Sequence, residues 1–365
     1  MFDSMKRFFS RNRRKFIIVG VAVGGTYLVA RYAKQKLVEL QESSTKEFIE
    51  KTRRVQHFES TERTCNQAIV SLTANVSDEI LQILNPEIIL EKLRTNPEDK
   101  LQLWDNLKIM AFTRLTTLIY ATTILVVTLR VQLNVLGGYL YKDTKSDDTK
   151  ISNELRQSYL SLVQNFLHSG LRDMTKLIES KVRLVLEAYP LTKKLSLSDI
   201  EQVFWSIQMA VNSDPTEPNS NLTRYVFPST VDDSNETLKK MYDETLDILE
   251  SDDVAALCAN CISRGFSIAV DTIAESFSET NKTPNQITAN GKSALEAKST
   301  SGDVVNINNM ELSLAKIIPI LNNITAVNQE NNNSRPSLTS SLVTFYLIAE
   351  KIKTLGTNVY EVFSV

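Results

Sequence analysis

Fifteen residues without a charge, Phe16 to Ala30, follow a basic start made of Lys6, Arg7, Arg11, Arg13, Arg14 and Lys15. A stretch so apolar has to leave water, and basic residues before it are the usual mark of a membrane-directed segment. As a helix it spans roughly 22 Å, short of a hydrocarbon core of roughly 30 Å. Lys15 and Arg31 must then snorkel, or the span must extend through Tyr32 and Ala33. A secretory signal would need a small-residue cleavage site, and Val29-Ala30-Arg31 is a poor one. A buried core helix fits the length but not the basic flank. The segmentation expected is a basic targeting stretch at 1–15 (Arg11, Arg13, Arg14, Lys15), a membrane anchor at 16–33 (Phe16, Tyr27, Ala30) and a body at 34–365.

The body reads as all-α. Gly (10) and Pro (9) are scarce over 365 residues, so few breaks interrupt long stretches of good helix formers. Lys34 to Thr73 contains neither Gly nor Pro and predicts one long helix leaving the membrane. Helix starts are expected at Ser77-Asp78-Glu79, Asn85-Pro86-Glu87 and Asn96-Pro97-Glu98-Asp99, where a capping side chain precedes acids or a first-turn proline. The last opens a long helix through Leu115–Leu129, a second uncharged run. Five threonines (Thr116, Thr117, Thr122, Thr123, Thr128) and its short length favour a central helix of a bundle over a second span. Gly137-Gly138 is expected to end it. Further helices are predicted over 154–187, 199–211 (behind a Ser198-to-Glu201 capping box), 237–277, 312–327 and 341–362. The polar stretches 212–235 and 279–309 read as surface loops, both candidates for mobility.

Chemistry is sparse. Lys plus Arg (41) nearly balances Asp plus Glu (43), so no global field points to nucleic acid. Three cysteines, Cys65, Cys258 and Cys261, give no disulfide framework and suit a reducing compartment. Cys258-Ala259-Asn260-Cys261 has redox spacing, but no strand precedes it and no second pair completes a zinc site. His57 and His168 stand apart from other metal ligands. No phosphate loop, nucleophile elbow or metalloprotease motif occurs, so no catalytic residue, metal, cofactor or small-molecule substrate is expected. The sequons at Asn75 and Asn221 would matter only in a luminal body.

What remains is protein binding. Lys100, Trp104, Leu107 and Lys108 lie at i, i+4, i+7 and i+8 on one helix face. A rigid ring flanked by lysines suits an interface hot spot, with Leu93 on the preceding helix as the opposite wall. The same ring would serve equally as core, with the lysines solvated.

Several blocks resemble the peroxin-3 family. They are the Gly24-Gly25-Thr26-Tyr27 span, Arg53-Arg54-Val55-Gln56-His57-Phe58-Glu59-Ser60, Arg63-Thr64-Cys65-Asn66 and Leu103-Trp104-Asp105-Asn106-Leu107-Lys108-Ile109. Others are Leu129-Arg130-Val131-Gln132-Leu133-Asn134 through Gly137-Gly138-Tyr139, Asn260-Cys261 to Arg264-Gly265-Phe266, Leu314-Ala315-Lys316-Ile317-Ile318-Pro319 and Asn358-Val359-Tyr360-Glu361. They run in order along nearly the whole chain. The resemblance implies a single-pass peroxisomal membrane protein, inserted directly or through the endoplasmic reticulum, whose cytosolic helical domain docks peroxin-19. In the family that partner's amphipathic helix packs beside a tryptophan matched here by Trp104, with Leu93, Lys100 and Leu107 at groove positions. The alternative is an organelle tether whose surface recruits inheritance, autophagy or motor factors. The loops 212–235 and 279–309 match no family motif.

Overall fold

A computed structural model describes residues 2–95, 97–144, 151–228, 230, 235–280, 310–326 and 337–365, with the side chains of 2–30, 33, 37–40, 42, 43 and 278–280 outside the description. Contacts divide the chain into two units, Met1–Glu59 and Ser60–Val365. The first unit is helical throughout its described part and belongs to α1 (Phe2–Ile83). The stretch expected to form the anchor and its basic cluster therefore has a helical backbone, while the side chains of Arg11, Arg13, Arg14, Lys15, Phe16, Tyr27 and Ala30 lie outside the described residues.

The second unit is built around α3 (Lys100–Asp143). Nearly every residue from Leu107 to Gly138 is buried, because α3 meets neighbours on all sides. Its partners are α2 (Pro86–Arg94), α5 (Leu171–Leu186), α8 (Glu236–Leu249), α9 (Asp252–Thr280), α10 (Leu314–Ile324), α11 (Leu338–Ile348) and, most extensively, α12 (Glu350–Ser364). Two helices among the described residues are long and apolar enough to cross a membrane, but 94% of the most apolar stretch of α3 is buried in the fold. Of the five threonines in that run, Thr123 donates to Ile119 O and shares a 2.9 Å hydrogen bond with the hydroxyl of Tyr346 on α11, while the hydroxyls of Thr116, Thr117, Thr122 and Thr128 are buried without a hydrogen-bond partner among the described residues. The other candidate is α9, with 39% of its most apolar stretch buried. Shorter elements are α4 (Asn153–Ser161), a π-turn (Phe166–Gly170), α6 (Leu197–Asn212) and α7 (Leu222–Val226). Two-residue strands β1 (Lys194–Leu195) and β2 (Leu312–Ser313) pair antiparallel, bringing the starts of α6 and α10 together.

Several boundaries differ from the sequence expectation. Ser77 starts no helix: it lies within α1, 5% exposed, its hydroxyl 3.3 Å from that of Thr339. Nor do Gly137 and Gly138 end α3. A Cβ at 137 would meet Thr61 Cγ2 at 2.6 Å and one at 138 would meet Phe363 Cβ at 2.5 Å, so the pair admits close neighbours instead. The capping box is Ser196 with Asp199, not Ser198 with Glu201. The span 154–187 is broken by the π-turn, 237–277 divides at Glu250–Ser251, and 341–362 divides at Ala349, whose ψ of 117° is extended. The stretch 212–235 is not wholly surface loop, since it holds α7 with Leu222, Tyr225, Val226 and Phe227 buried. A short apolar cluster within polar sequence is enough to nail a connection to the core. Residues 281–309 of the other expected loop lie outside the described ones.

Candidate functional site

The helix start at Asn85 forms as its residues dictate. The Asn85 side chain accepts from Glu87 N at 2.9 Å and Pro86 takes the first helical position, where its missing N–H leaves nothing unpaired. This fixes α2 against the beginning of α3. Between them and α10 opens a cleft of about 490 Å³. Pro86 and Leu90 line it from α2, Trp104 and Leu107 from α3, and Ile318, Pro319 and Asn322 from α10. Trp104 is half-buried, leaning on the core with part of its ring open, while Leu107 is 1% exposed and forms the floor.

Of the residues expected at this site, Trp104 and Leu107 are brought together. Lys100 is exposed, one turn before Trp104, and lies outside the lining. Leu93 is half-buried on α2 and also outside it; Leu90, one turn earlier, faces the cleft. Lys108 is not a rim lysine. It is 2% exposed and its Nζ donates to Leu186 O at 3.2 Å and Tyr189 O at 3.0 Å, with Asp105 as ion-pair partner. It caps the end of α5, where the helix dipole favours a cation. The i, i+8 spacing put it on the Trp104 face, but a long stem reaches the neighbouring helix instead. The α10 wall was not found from sequence, since no local signal links residues some two hundred positions apart.

Elsewhere the described residues hold no cluster able to bind a metal. Cys65, Cys258 and Cys261 are free and buried. Burial pushes the thiols of Cys65 and Cys261 up to about 11 and that of Cys258 higher, so all three stay protonated and unreactive.

The family model described as Peroxin-3 matches residues 7–100, 94–144 and 138–345. Mouse peroxisomal biogenesis factor 3 is 34% identical over 386 residues, covering 100% of this chain and 98% of its own. The human protein of that name is 34% identical over 388 residues with the same coverage. Peroxisome biogenesis protein 3-1 of Arabidopsis thaliana is 27% identical over 231 residues, 56% of this chain and 63% of its own.

Proposed function

The chain belongs to the Peroxin-3 family, which places it in peroxisome membrane biogenesis, and from that premise we propose that it is the docking receptor for peroxin-19. The observation that carries this reading is the cleft itself: an apolar trough with a half-open Trp104 beside a buried Leu107, walled by α2 and α10. An amphipathic helix laid there buries its apolar anchors against that floor, and the exposed Lys100 next to it attracts an acidic partner. The mechanism is capture of the chaperone with its membrane-protein cargo at the peroxisome surface. Residues 16–33 serve as a single-pass anchor behind the basic targeting stretch 1–15, and the body faces the cytosol.

Binding of a peroxin-19 amphipathic peptide to the full chain in detergent, with and without Trp104→Ala, tests this. Losing a hot-spot ring costs at least about 2 kcal/mol, roughly thirtyfold in affinity, while the melting temperature stays within a few degrees. Unchanged affinity, or a chain that unfolds, returns Trp104 to the core. Topology has its own test: residues 34–365 should stay soluble, because α3 hides its apolar stretch in the bundle. Integral membrane behaviour of that fragment would contradict it.

A further inference from the structure

The α10 wall of the cleft is weak by its own sequence. It has eleven residues with Pro319 inside, Ser313 makes no side-chain cap bond, and its last turn carries no basic residue. So short a helix is marginal alone, and an interior proline removes a hydrogen bond and crowds the preceding turn. Its N-terminal end is tied down by Leu314 N to Lys193 O at 2.9 Å and Ala315 N to Leu191 O at 3.1 Å. The C-terminal end, where Asn322 lines the cleft, is held differently.

We infer that Arg114 is a positioning residue for the docking cleft: reaching from α3, it caps the end of α10 and sets where that wall stands relative to Trp104. Its Nη2 donates to Thr325 Oγ1 at 2.7 Å and to Asn322 O at 3.4 Å. Thr325 in turn donates to Leu321 O at 2.9 Å, so the guanidinium grips the last turn through a hydroxyl relay. Arg114 is 3% exposed, and among the described residues no carboxylate lies within ion-pair distance. Burial lowers the guanidinium to about 10, which still leaves it charged near neutral pH. An arginine so placed is poor stability design, since burying a charge away from an acid costs more than an apolar side chain of similar length. Its position at the negative end of a helix whose last turn has no basic residue of its own gives it a role. Trp104 and Arg114 stand ten residues apart on one rigid helix, about 15 Å, so floor and far wall share one reference.

This inference rests on the docking reading, and one set of variants separates the two. Full-length chain in detergent is titrated with the peroxin-19 amphipathic peptide as wild type, Trp104→Ala, Arg114→Met, Arg114→Lys, Thr325→Val and the Arg114→Met/Thr325→Val double variant. Arg114→Met and Thr325→Val should each weaken binding by about tenfold, with the double variant little weaker than the worse single one. Arg114→Lys should recover part of the loss, and amide exchange at 321–326 should quicken in Arg114→Met while α3 stays protected. Wild-type affinity for both Arg114→Met and Thr325→Val alongside a weakened Trp104→Ala overturns the inference alone. Additive losses also overturn it. Should Arg114→Met fail to fold, Thr325→Val decides. A Trp104→Ala chain that binds like wild type sinks the docking reading itself.

Discussion

Arg130 on α3 donates through Nη2 to Asn66 Oδ1 at 2.8 Å, joining the central helix to α1 across 64 residues of sequence. The Glu62 carboxylate stands 3.8 Å from the same guanidinium, and Gly356 of α12 rests on its stem, where a Cβ would fall 2.8 Å from Arg130 Cδ. Three helices thus meet at one side chain that is 1% exposed. Arg130→Met keeps the stem but strands Asn66 and Glu62. A loss of about 3 kcal/mol in urea unfolding is expected, at the lower end for a broken buried pair because Glu62 is partly solvated. A change under about 1 kcal/mol would show that the stem alone holds the junction.

Gly138→Ala sets two effects against each other. Alanine gains about 1 kcal/mol of helix propensity. Against that, the new methyl falls 2.5 Å from Phe363 Cβ and 2.8 Å from its backbone carbon, so α12 must move from its largest contact. Overpacking of this kind costs about 1–3 kcal/mol, and the clash is with backbone, so a net fall in melting temperature is expected. A more stable variant would mean that α12 yields freely.

Lys100 and Lys108 should behave oppositely despite sharing a helix. Lys108→Ala removes the donor to Leu186 O and Tyr189 O and leaves Asp105 without its ion pair, so stability should drop by about 1–3 kcal/mol. Lys100→Ala should leave the melting temperature alone and weaken peptide binding modestly, an effect that fades as salt rises. Equal melting losses in both variants would argue against this division.

Asp214 predicts a pH dependence. Lys181 at 2.7 Å and the Thr216 N–H and hydroxyl hold its carboxyl down to about 2. A carboxyl depressed in the folded state adds stability that is fully present above its unfolded value, about 4, and is lost as pH falls toward 2. Asp214→Asn should therefore be less stable than wild type at pH 6, with the gap closing below pH 4. A gap that is constant from pH 6 to pH 2.5 would remove Asp214 as its source.

Local sequence determined what depends on neighbours in the chain. The cap and first turn of α2 follow from Asn85-Pro86-Glu87, because side chain, missing N–H and dipole act within four residues. The all-α class and the burial of Leu115–Leu129 follow from scarce breakers and from threonines that suit a bundle better than lipid. Where one local pattern has two outcomes, the fold chose. Ser196 with Asp199 and Ser198 with Glu201 have the same capping-box spacing, and the helix starts at the first, which brings the buried Leu197 into its first turn. Gly137-Gly138 spells a helix end or a close approach, and only Thr61 and Phe363 distinguish them. Leu90 and Leu93 sit one turn apart on α2, and which one faces the cleft depends on α10, more than two hundred residues downstream. A helix's residues set which side chains share a face, but the direction that face points is set by packing against partners that no local spacing encodes.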